Sequence, residues 1–562
     1  MEVTRDRGYQ AKRKRLEKRG LGLLTERQSW DRTHGSIADY LAPGSARFME
    51  TDANRGERRD RNIYDDTGGE SLRTLVAGLM SRGTSPARPW FALRTEDADL
   101  GKFRKVKEWL ADCEEILRNL MVRTNTYRML PRIYKQCAAF GTAAAMLVDD
   151  DDKLFRLQPM PWGHYCLAHN HKGEVDTLYR QYQMTVGQVV QEFGLEACSD
   201  RTKALYDRHE YDTWLTIWHA VEPRMHRNRE SDTAENMPWQ SCYFEQGVDD
   251  DKVLRESGFL EFPALTPRWE VEGDDVYGYG PGRQAIGAIR QLQQEQYAKA
   301  VAIDKGIDPP LELPGALKGQ DADTNPGGRI YNDALSPHAK VRSIYEQPVP
   351  IDPIREDIED VRRRIRRHFF ADLFRLLDNV SDTTSRTAYE VRIRMEESMA
   401  ELAPALTNLT EELHRPLVER VFEKALTAGL LPPPPDDILG ANVGVEFVSV
   451  LAQAQKAVGA AAMDRYILAL GSVAALSNGK EQILDVLDED YVASSYADML
   501  GVDPRVNRAP EKVADLRKAR NEALAAKEQQ EAMAQMAPAA KDMAGAAAQA
   551  DALGSLQGYY GG

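Results

Sequence analysis

The spacing of apolar residues predicts several helices in the N-terminal part of the chain. Apolar and aromatic side chains recur every three to four positions after Leu24, which indicates an amphipathic helix that ends before Pro43. A second helix is expected from Gly69 to Met80, with its leucines on one side. The pattern is again helical from Val106 to Gly141, with an interruption expected at Pro131.

The pattern changes between Ala144 and Phe262, where short apolar runs alternate with acidic and turn-rich stretches. Runs such as 145–148, 214–218 and 241–244 are typical of antiparallel strands joined by hairpins. We therefore interpret Met1 to Trp269 as an α/β unit with a mixed or antiparallel sheet. The chain as a whole belongs to the α+β class.

Two long helices are predicted in the middle of the chain. The first, from Arg283 to Gly306, is rich in Gln and Ala and would form a rod of about 35 Å that ends before Pro309. The second, from Asp352 to Leu377, carries one apolar stripe. Between them, Leu311 to Gln347 contains clustered Pro and Gly and predicts a small β-containing module. The stripe consists of Ile354, Ile358, Val361, Ile365 and Phe369.

The C-terminal part is predicted to be largely helical. Asp378 to Ser385 has the composition of a polar loop, and Arg386 to Ala428 that of a third long helical segment. Pro404 and Pro416 should bend or break this segment. Ala-rich helices follow to about Gln530, and beyond them lies a low-complexity tail that has little to pack.

Composition narrows the functional classes. The chain of 562 residues is long enough for several packed units. Its formal net charge of −15 argues against wholesale neutralisation of phosphates as a mode of binding nucleic acid. The longest apolar run, 467–476, is far shorter than the roughly 20 residues of a membrane span, so we expect no membrane association. The five cysteines form no C-x-x-C pair and indicate a reducing compartment: Cys113, Cys137, Cys166, Cys198 and Cys242.

Three patterns could be taken for catalytic or metal sites, and each has a simpler interpretation. No G-x-x-x-x-G-K-[ST] motif is present, and the glycines of 278–282 lack dinucleotide-binding spacing, so a helix-entry turn is favoured. Asp149 to Asp152 could serve a metal-dependent nuclease, but such runs are usually solvated turns. His164, Cys166, His169 and His171 lack the two-knuckle spacing of zinc sites and favour a plain hairpin. We predict no cofactor, no metal and no enzymatic activity.

Two basic clusters are candidates for charged contacts. The N-terminal stretch Arg5 to Arg19 could be a nucleic-acid arm, or it could dock onto an acidic neighbour or a tail protein. Five arginines on the second long helix follow four acids of 356–360 by one turn. Intrahelical or inter-subunit ion pairing is therefore slightly favoured over phosphate contact. These arginines are Arg362, Arg363, Arg364, Arg366 and Arg367.

An ordered set of short motifs resembles the head-to-tail connector (portal) proteins of short-tailed bacteriophages. The longest stretch begins with Tyr277-Gly278-Tyr279-Gly280-Pro281-Gly282 and ends with Ile307-Asp308-Pro309-Pro310-Leu311. The other motifs are Asp65-Asp66-Thr67 with Ala77-Gly78-Leu79, Arg88-Pro89-Trp90-Phe91, Asn325-Pro326-Gly327-Gly328, and Thr387-Ala388-Tyr389-Glu390-Val391-Arg392. They follow the family's order over about Gln10 to Arg520.

The resemblance implies the portal fold and a ring of twelve identical subunits at one capsid vertex. By order along the chain, the wing would be 1–269 with 386–449, the stem helices 270–307 and 351–377, the clip 308–350, the tunnel loop 378–385, the crown 450–530, and the tail 531–562. A predominantly acidic tunnel would repel phosphate, so that DNA slides without sticking.

The resemblance also implies functional residues and partners. Asn325, Pro326, Gly327 and Gly328 would belong to the docking surface of the clip, and the tunnel loop would comprise Asp378, Asn379, Val380, Ser381, Asp382, Thr383, Thr384 and Ser385. The partners would be further copies of the chain in a homo-dodecamer, double-stranded DNA in the channel, the terminase large subunit that hydrolyses ATP, tail adaptor and tail tube proteins, major capsid and scaffolding proteins, and internal core proteins on the crown. The location would be the virion, after assembly in the host cytoplasm.

Two other functional classes stay open at this point. A nuclease that uses Asp149 to Asp152 would cleave DNA in the presence of a divalent metal as a purified protein. A tail adaptor that is not a portal would be expected to be much shorter than 562 residues.

Overall fold

The computed structural model describes the backbone of residues 3–46, 60–95, 103–228, 233–248, 252–307, 311–312, 342–343, 351–379, 400–435, 443–447, 466–470, 472, 492 and 512–527. The chain divides into two compact units. The larger comprises Met1–Arg94, Cys113–Pro432 and Val443–Leu487, and the smaller comprises Thr95–Asp112, Pro433–Asn442 and Asp488–Gly562. Segregated helices and antiparallel strands confirm the α+β class.

The N-terminal helices lie close to where apolar spacing predicts them. α1 (Val3–Tyr40) ends before Pro43 as expected but begins well before the predicted start after Leu24. α2 (Thr67–Gly78) continues directly into one wide π-helical turn, Leu79–Gly83.

The predicted interruption at Pro131 is wrong. α3 (Arg104–Arg123) is separated from α4 (Thr126–Phe140) at residues 124–125, and Pro131 lies inside α4. The break occurs at Asn125 because its side chain pairs with the Leu157 backbone. Asn125 Nδ2 donates to the Leu157 carbonyl oxygen at 2.9 Å, and Asn125 Oδ1 accepts from the Leu157 amide at 2.8 Å. α4 tolerates its proline because Leu130, Ile133 and several further residues bury one face of the helix.

The strands are β1 (Phe91–Thr95), β2 (Ala144–Asp150), β3 (Leu154–Met160), β4 (Tyr165–His169), β5 (Val175–Thr185), β6 (Trp214–Pro223), β7 (Trp239–Glu245), β8 (Arg255–Phe259), β9 (Ala264–Leu265), β10 (Leu311–Glu312), β11 (Arg342–Ser343) and β12 (Val443–Phe447). One sheet is a five-stranded meander, β4-β5-β6-β7-β8, and another has the order β3-β2-β9. The strand pairs β2–β3, β2–β9, β10–β11 and those of the β4–β8 sheet are antiparallel. The apolar runs 145–148, 214–218 and 241–244 are confirmed as strand segments.

Two short helices interrupt the strand region: α5 (Val186–Phe193) and α6 (Asp200–Asp207). Apolar alternation alone did not predict them. α5 begins with a reciprocal capping box, in which Thr185 accepts from the Gln188 amide and Gln188 accepts from the Thr185 amide. The Thr-x-x-Gln spacing was therefore a readable start signal.

The core of the five-stranded sheet is covered by α1. Leu16 and Leu23 of α1 pack in one buried cluster with Trp218 and Phe244 of the sheet. Full burial of such side chains stabilises a fold by about 1.5–3 kcal/mol each. This packing fixes the N-terminal helix on one face of the sheet.

The central helices follow the prediction except at one joint. α7 (Pro281–Ile307) matches the first predicted rod. The second rod is not one continuous helix, because α8 (Ile351–His368) and α9 (Ala371–Asn379) meet at a break. Phe370 at this break has φ +52, a left-handed conformation that an L-residue does not adopt inside a helix. β10 pairs with β11 between α7 and α8, in agreement with the β-containing segment expected there.

The remaining described residues are mainly helical. Residues 400–409 are helical through Pro404, so no break occurs there. A second π-helical turn, Thr410–His414, leads into the helix Arg415–Thr427, whose first turn contains Pro416. Residues 466–470 and 512–527 are helical, as the Ala-rich pattern predicted.

Candidate functional site

The paired helices α7 and α8 form the part of the structure that carries the five arginines. Ile358, Val361 and Ile365 of α8 are buried, as the predicted stripe requires, and they face a side of α7 that buries Ile289 and Leu292. The helices run antiparallel, because Arg364 lies beside Gln291 whereas the earlier part of α8 lies beside the later part of α7. This apolar seam holds the charged faces of both helices in fixed positions.

Asp65 lies at the centre of a polar network that ties α8 to α7 and α2. Its Oδ2 accepts hydrogen bonds from Arg362 Nε at 3.0 Å, Arg362 Nη2 at 2.6 Å and Gln296 Nε2 at 2.8 Å. Its Oδ1 accepts from the Thr67 amide at 2.9 Å. Gln293 of α7 completes the network, since its Oε1 accepts from the Asp65 amide at 2.9 Å and its Nε2 donates to the Asp65 carbonyl at 2.8 Å.

The network stabilises Asp65 in its charged form. Burial by itself would raise the pKa of Asp65, but hydrogen bonds from Thr67, Arg362 and Gln296 outweigh burial and hold the pKa below its ordinary value. The hydrogen bond with Asp65 is also the main reason why the pKa of Arg362 lies above its ordinary value. Asp65-Asp66-Thr67 was one of the motifs that carried the family resemblance, and the structure places it against α8.

The five arginines differ in their surroundings. Arg362 also pairs with Glu359, and Arg366 lies 3.8 Å from the same carboxylate; both arginines have side chains 29% exposed. Arg363 pairs with Asp360, and Arg367 lies 3.5 Å from Glu401, but the two arginines are 70% and 80% exposed. Arg364 is exposed and donates to the amide oxygen of Gln291 at 3.2 Å. Within the described ranges, Arg364 is the one of the five with no ion-paired carboxylate.

These differences divide the arginine cluster into two groups. Arg362 and Arg366 are less exposed, and both lie within ion-pair distance of Glu359. Arg363, Arg364 and Arg367 are exposed, and the pairs that two of them make are surface pairs, which contribute about 0–1 kcal/mol. The guanidinium groups of these three arginines are therefore accessible to solvent.

The joint between α8 and α9 packs on a glycine of α2. Phe374 of α9 is buried against Gly78, where a Cβ would lie 2.1 Å from the Phe374 ring carbon Cδ1. Phe369 is also buried, and Arg375 pairs with Glu70 of α2 at 2.7 Å. Gly78 belongs to another of the resemblance motifs. The absence of its side chain lets α9 approach α2 and so fixes the direction in which the chain leaves the joint.

The predicted tunnel loop is described only at its start. Asp378 and Asn379 are the last two residues of α9, so the helix extends two residues further than predicted. Val380, Ser381, Asp382, Thr383, Thr384 and Ser385 lie outside the described residues, as do the clip residues Asn325, Pro326, Gly327 and Gly328. Their roles stay predictions.

The glycine-rich stretch before α7 is a helix entry, as favoured from sequence. A Cβ at Gly282 would lie 2.2 Å from the carbonyl oxygen of Ala139, so the glycine permits α7 to start against the end of α4. Tyr277 accepts a hydrogen bond from the Leu167 amide at 3.0 Å and packs edge-on to Trp162. The stretch therefore locks α7 onto α4 and the sheet.

Cys166 and His169, two members of the His/Cys metal candidate, make ordinary structural contacts. Cys166 is buried beside Arg27, and burial raises the pKa of its thiol to about 12. Both ring nitrogens of His169 lie within hydrogen-bond distance of carbonyl oxygens, those of Asn170 at 2.8 Å and Asp274 at 2.9 Å. The part of the chain that the structure describes contains no group of three His, Cys, Asp or Glu side chains that could hold a metal ion.

The acidic run Asp149 to Asp152 spans the end of β2 and the turn of the β2–β3 hairpin: Asp149 and Asp150 pair with Phe155 and Leu154, and Asp151 and Asp152 lie in the turn. Asp150 Oδ1 accepts from the amides of Asp152 and Lys153 at 3.1 Å each, and Asp149 pairs with Lys424.

None of the described helices is long and apolar enough to cross a membrane.

The basic N-terminal stretch docks onto acids of the chain's own sheet. Arg15 and Arg19 pair with the buried Glu222 at 3.1 Å and 2.8 Å, and Lys12 pairs with Glu256. Lys12, Arg15 and Arg19 thus have acidic partners within their own chain, and docking of the stretch onto an acidic neighbour or a tail protein stays a prediction.

The second π-helical turn organises a polar centre that sequence reasoning missed. Glu412 accepts from Arg268 through the backbone amide at 2.7 Å and Nε at 3.0 Å. His414 Nε2 lies 2.8 Å from the Tyr134 hydroxyl, which lies 2.9 Å from Thr84 Oγ1 at the end of the first π-helical turn. An extra residue in a helical turn re-aims its side chains, and no residue pattern announced it.

Comparison with known proteins gives consistent matches over nearly the whole chain. Residues 13–507 match the family model described as bacteriophage head to tail connecting protein. The chain is 43% identical over 511 residues to the probable portal protein of Bordetella phage BPP-1, with 91% of each chain covered. It is 38% identical over 512 residues to the portal protein of Salmonella phage epsilon15, again with 91% of each covered.

Proposed function

Since this chain belongs to the family of bacteriophage head to tail connecting proteins, we propose that it is the portal subunit of a phage virion. Twelve copies would form a ring at one capsid vertex, through which double-stranded DNA enters during packaging and leaves during ejection. The observation that carries the proposal is the 43% identity, over 91% of both chains, to a protein named as a probable portal protein.

The arrangement of α7, the β10–β11 pair and α8 supports the assignment of stem and clip. Two antiparallel helices bracket a segment whose described residues are paired strands. Large apolar side chains are exposed along α7, with Tyr297 at 53% and Ile307 at 78%. Lateral packing of neighbouring stems in a ring would bury such side chains.

The channel lining would come from the exposed arginines and from the loop after α9. Arg363, Arg364 and Arg367 would make weak, sequence-independent contacts with phosphates, whereas the net charge of −15 per subunit keeps the duplex from binding tightly. The segment that follows α9, from Val380 to Ser385, would narrow the tunnel as a polar loop. Terminase, and later the tail proteins, would dock on the clip around 325–328.

The role is that of a structural conduit and docking ring, not an enzyme. A phage with a nonsense mutation in this gene should make heads without genomes and without tails, and the intact chain supplied in trans should restore infectious particles. A chain shortened within 381–384 should still enter heads but retain little DNA. Full, tailed particles produced without the chain would rule out the portal function.

A further inference from the structure

A groove of about 880 Å³ lies between α2, α4 and the end of α1. Its wall is mainly apolar, with Leu72, Val76 and Met80 from α2 and Pro131 from α4. Val76, Met80 and Pro131 are partly exposed along it. The described parts of the chain thus leave one apolar side of α2 open to solvent.

Three cations and two carboxylates line this groove: Arg73, Arg132 and Lys135 with Asp60 and Asp66. Arg73 pairs with Asp66 at 2.6 Å. Among the described residues, Arg132 and Lys135 form neither an ion pair nor a side-chain hydrogen bond. Burial first, and Arg73 second, lower the pKa of Lys135, so this half-buried ammonium group lacks a compensating carboxylate. A carboxylate brought by a ligand would supply it.

Exposed aromatic rings continue the same surface. Tyr64 lines the groove and is 57% exposed, and its ring lies 5.5 Å from that of Tyr297, which is 53% exposed. Aromatic, Met and Arg side chains are the residues enriched in the cores of protein–protein interfaces. An open apolar groove that carries them has the composition of a contact surface rather than of ordinary surface.

We propose that the groove receives an acidic segment with apolar side chains from a second copy of this chain, and so forms part of the contact between adjacent subunits. Charge complementarity favours a second copy, because the chain carries a net charge of −15 and the groove presents Arg132 and Lys135, two cations that form no ion pair among the described residues. The inference rests on the proposed ring and names one surface that closes it.

Charge reversal on the rim tests the proposal. Arg132→Glu with Lys135→Glu should raise the protein concentration needed for half-maximal ring formation by about tenfold or more, since like charges would face each other. The matched control is Lys172→Glu with Arg201→Glu, two exposed cations outside the groove, which should leave that concentration unchanged. Mass photometry over a dilution series measures both, and equal unfolding temperatures confirm intact folding. The proposal would be overturned if the rim variant reached half-maximal ring formation at the same protein concentration as wild type.

A photo-cross-linking amino acid at position 76 identifies the occupant. In the purified protein it should give covalent dimers of this chain, with the linked peptide of the second copy rich in Asp or Glu. Cross-links found only within one chain, or only after another phage protein is added, would overturn the assignment to a second copy. Dimers cross-linked at position 76 in a protein that forms no ring would uphold the groove and contradict the proposed ring. If the protein gave no cross-linked dimers and formed no rings, both the groove contact and the proposed ring would be contradicted.

Discussion

Asp65 and Arg362 lie 297 positions apart in the sequence and form a two-point contact, with Arg362 Nη2 at 2.6 Å and Nε at 3.0 Å from Oδ2 of Asp65. The carboxylate side chain is 6% exposed and the guanidinium 29%. The contact joins the segment that precedes α2 to the helix predicted as the second stem helix. It therefore couples the segment before α2 to α8.

Asp65→Asn should lower the free energy of unfolding of the larger unit by about 2 kcal/mol, because a charged acceptor of several hydrogen bonds is lost and Arg362 loses its best partner. Thermal unfolding of the variant measures the loss. Asp360→Asn is the matched control, since the Asp360–Arg363 pair is exposed, and it should change stability by about 0.5 kcal/mol or less.

The same variant has a defined pH signature. The folded-state pKa of Asp65 is below its unfolded value, so its stabilisation is present above that unfolded value of about 3.9 and is lost as the pH falls through the folded pKa. The gap in unfolding temperature between wild type and Asp65→Asn should therefore narrow on acidification below about pH 4. A gap that does not change with pH would contradict the role of the charge.

Arg362→Gln and Arg364→Gln should have opposite effects. Arg362→Gln leaves the buried Asp65 without its cation and should lower the unfolding temperature and the yield of rings. Arg364→Gln removes an exposed cation and should leave both unchanged while it weakens salt-sensitive association with duplex DNA. Arg364→Lys retains the charge and should restore the association. Equal loss of rings in the Arg362 and Arg364 variants would contradict this division of roles.

Gly78→Val should destabilise the α8–α9 joint by about 1–3 kcal/mol, because the new side chain overlaps the Phe374 ring. The change in unfolding temperature measures the effect, and Gly78→Val combined with Phe374→Ala should recover part of it. The control Gly287→Val introduces the same residue where a Cβ meets no atom within 4 Å. Equal destabilisation by both single variants would show that helix propensity, not contact with Phe374, is responsible.

Three buried histidines should make the fold sensitive to acid. Burial lowers the pKa of His34 and of His219 to about 3 and that of His414 to about 4. Because the unfolded chain binds protons at about pH 6.5 and the folded chain does not, stability should fall as the pH falls from about 6.5 toward 4.

His34→Phe tests this point most directly. Neither ring nitrogen of His34 has a hydrogen-bond partner among the described residues, and the ring packs edge-on to Trp162 at 4.1 Å, so Phe fits the same aromatic surroundings. Between pH 8 and pH 5, the free energy of unfolding of the variant should fall by about 2 kcal/mol less than that of wild type. This difference appears as a smaller drop in unfolding temperature. A drop equal to that of wild type would contradict burial of a neutral His34.

Sequence patterns predicted elements where one local rule dominates. The stripe that includes Ile358, Val361 and Ile365 is buried as expected, because apolar spacing on a helix reports directly on its packed face. The helix entry before α7 and the acidic hairpin turn followed equally from local chemistry. The family motifs also located Asp65 and Gly78, although their partners Arg362 and Phe374 could not be assigned from the motifs alone.

Sequence patterns failed to predict the structure where contacts between residues far apart in the sequence determine it. The chain breaks at Asn125 rather than Pro131 because Asn125 pairs with the Leu157 backbone across 32 positions. The joint at Phe370 depends on the fit of Phe374 against Gly78, which no spacing rule contains. The π-helical turn that aims Glu412 at Arg268 likewise depends on tertiary contacts that a single sequence does not display.

The central claim is that this chain closes into a twelve-fold ring with a channel wide enough for duplex DNA. Electron microscopy of the purified full-length protein, with native mass measurement on the same sample, tests it most directly. The account predicts end-on views with twelve-fold symmetry and an open centre, at the mass of a dodecamer of 63.2 kDa chains. Monomers or dimers alone across a wide range of concentration and salt would contradict it.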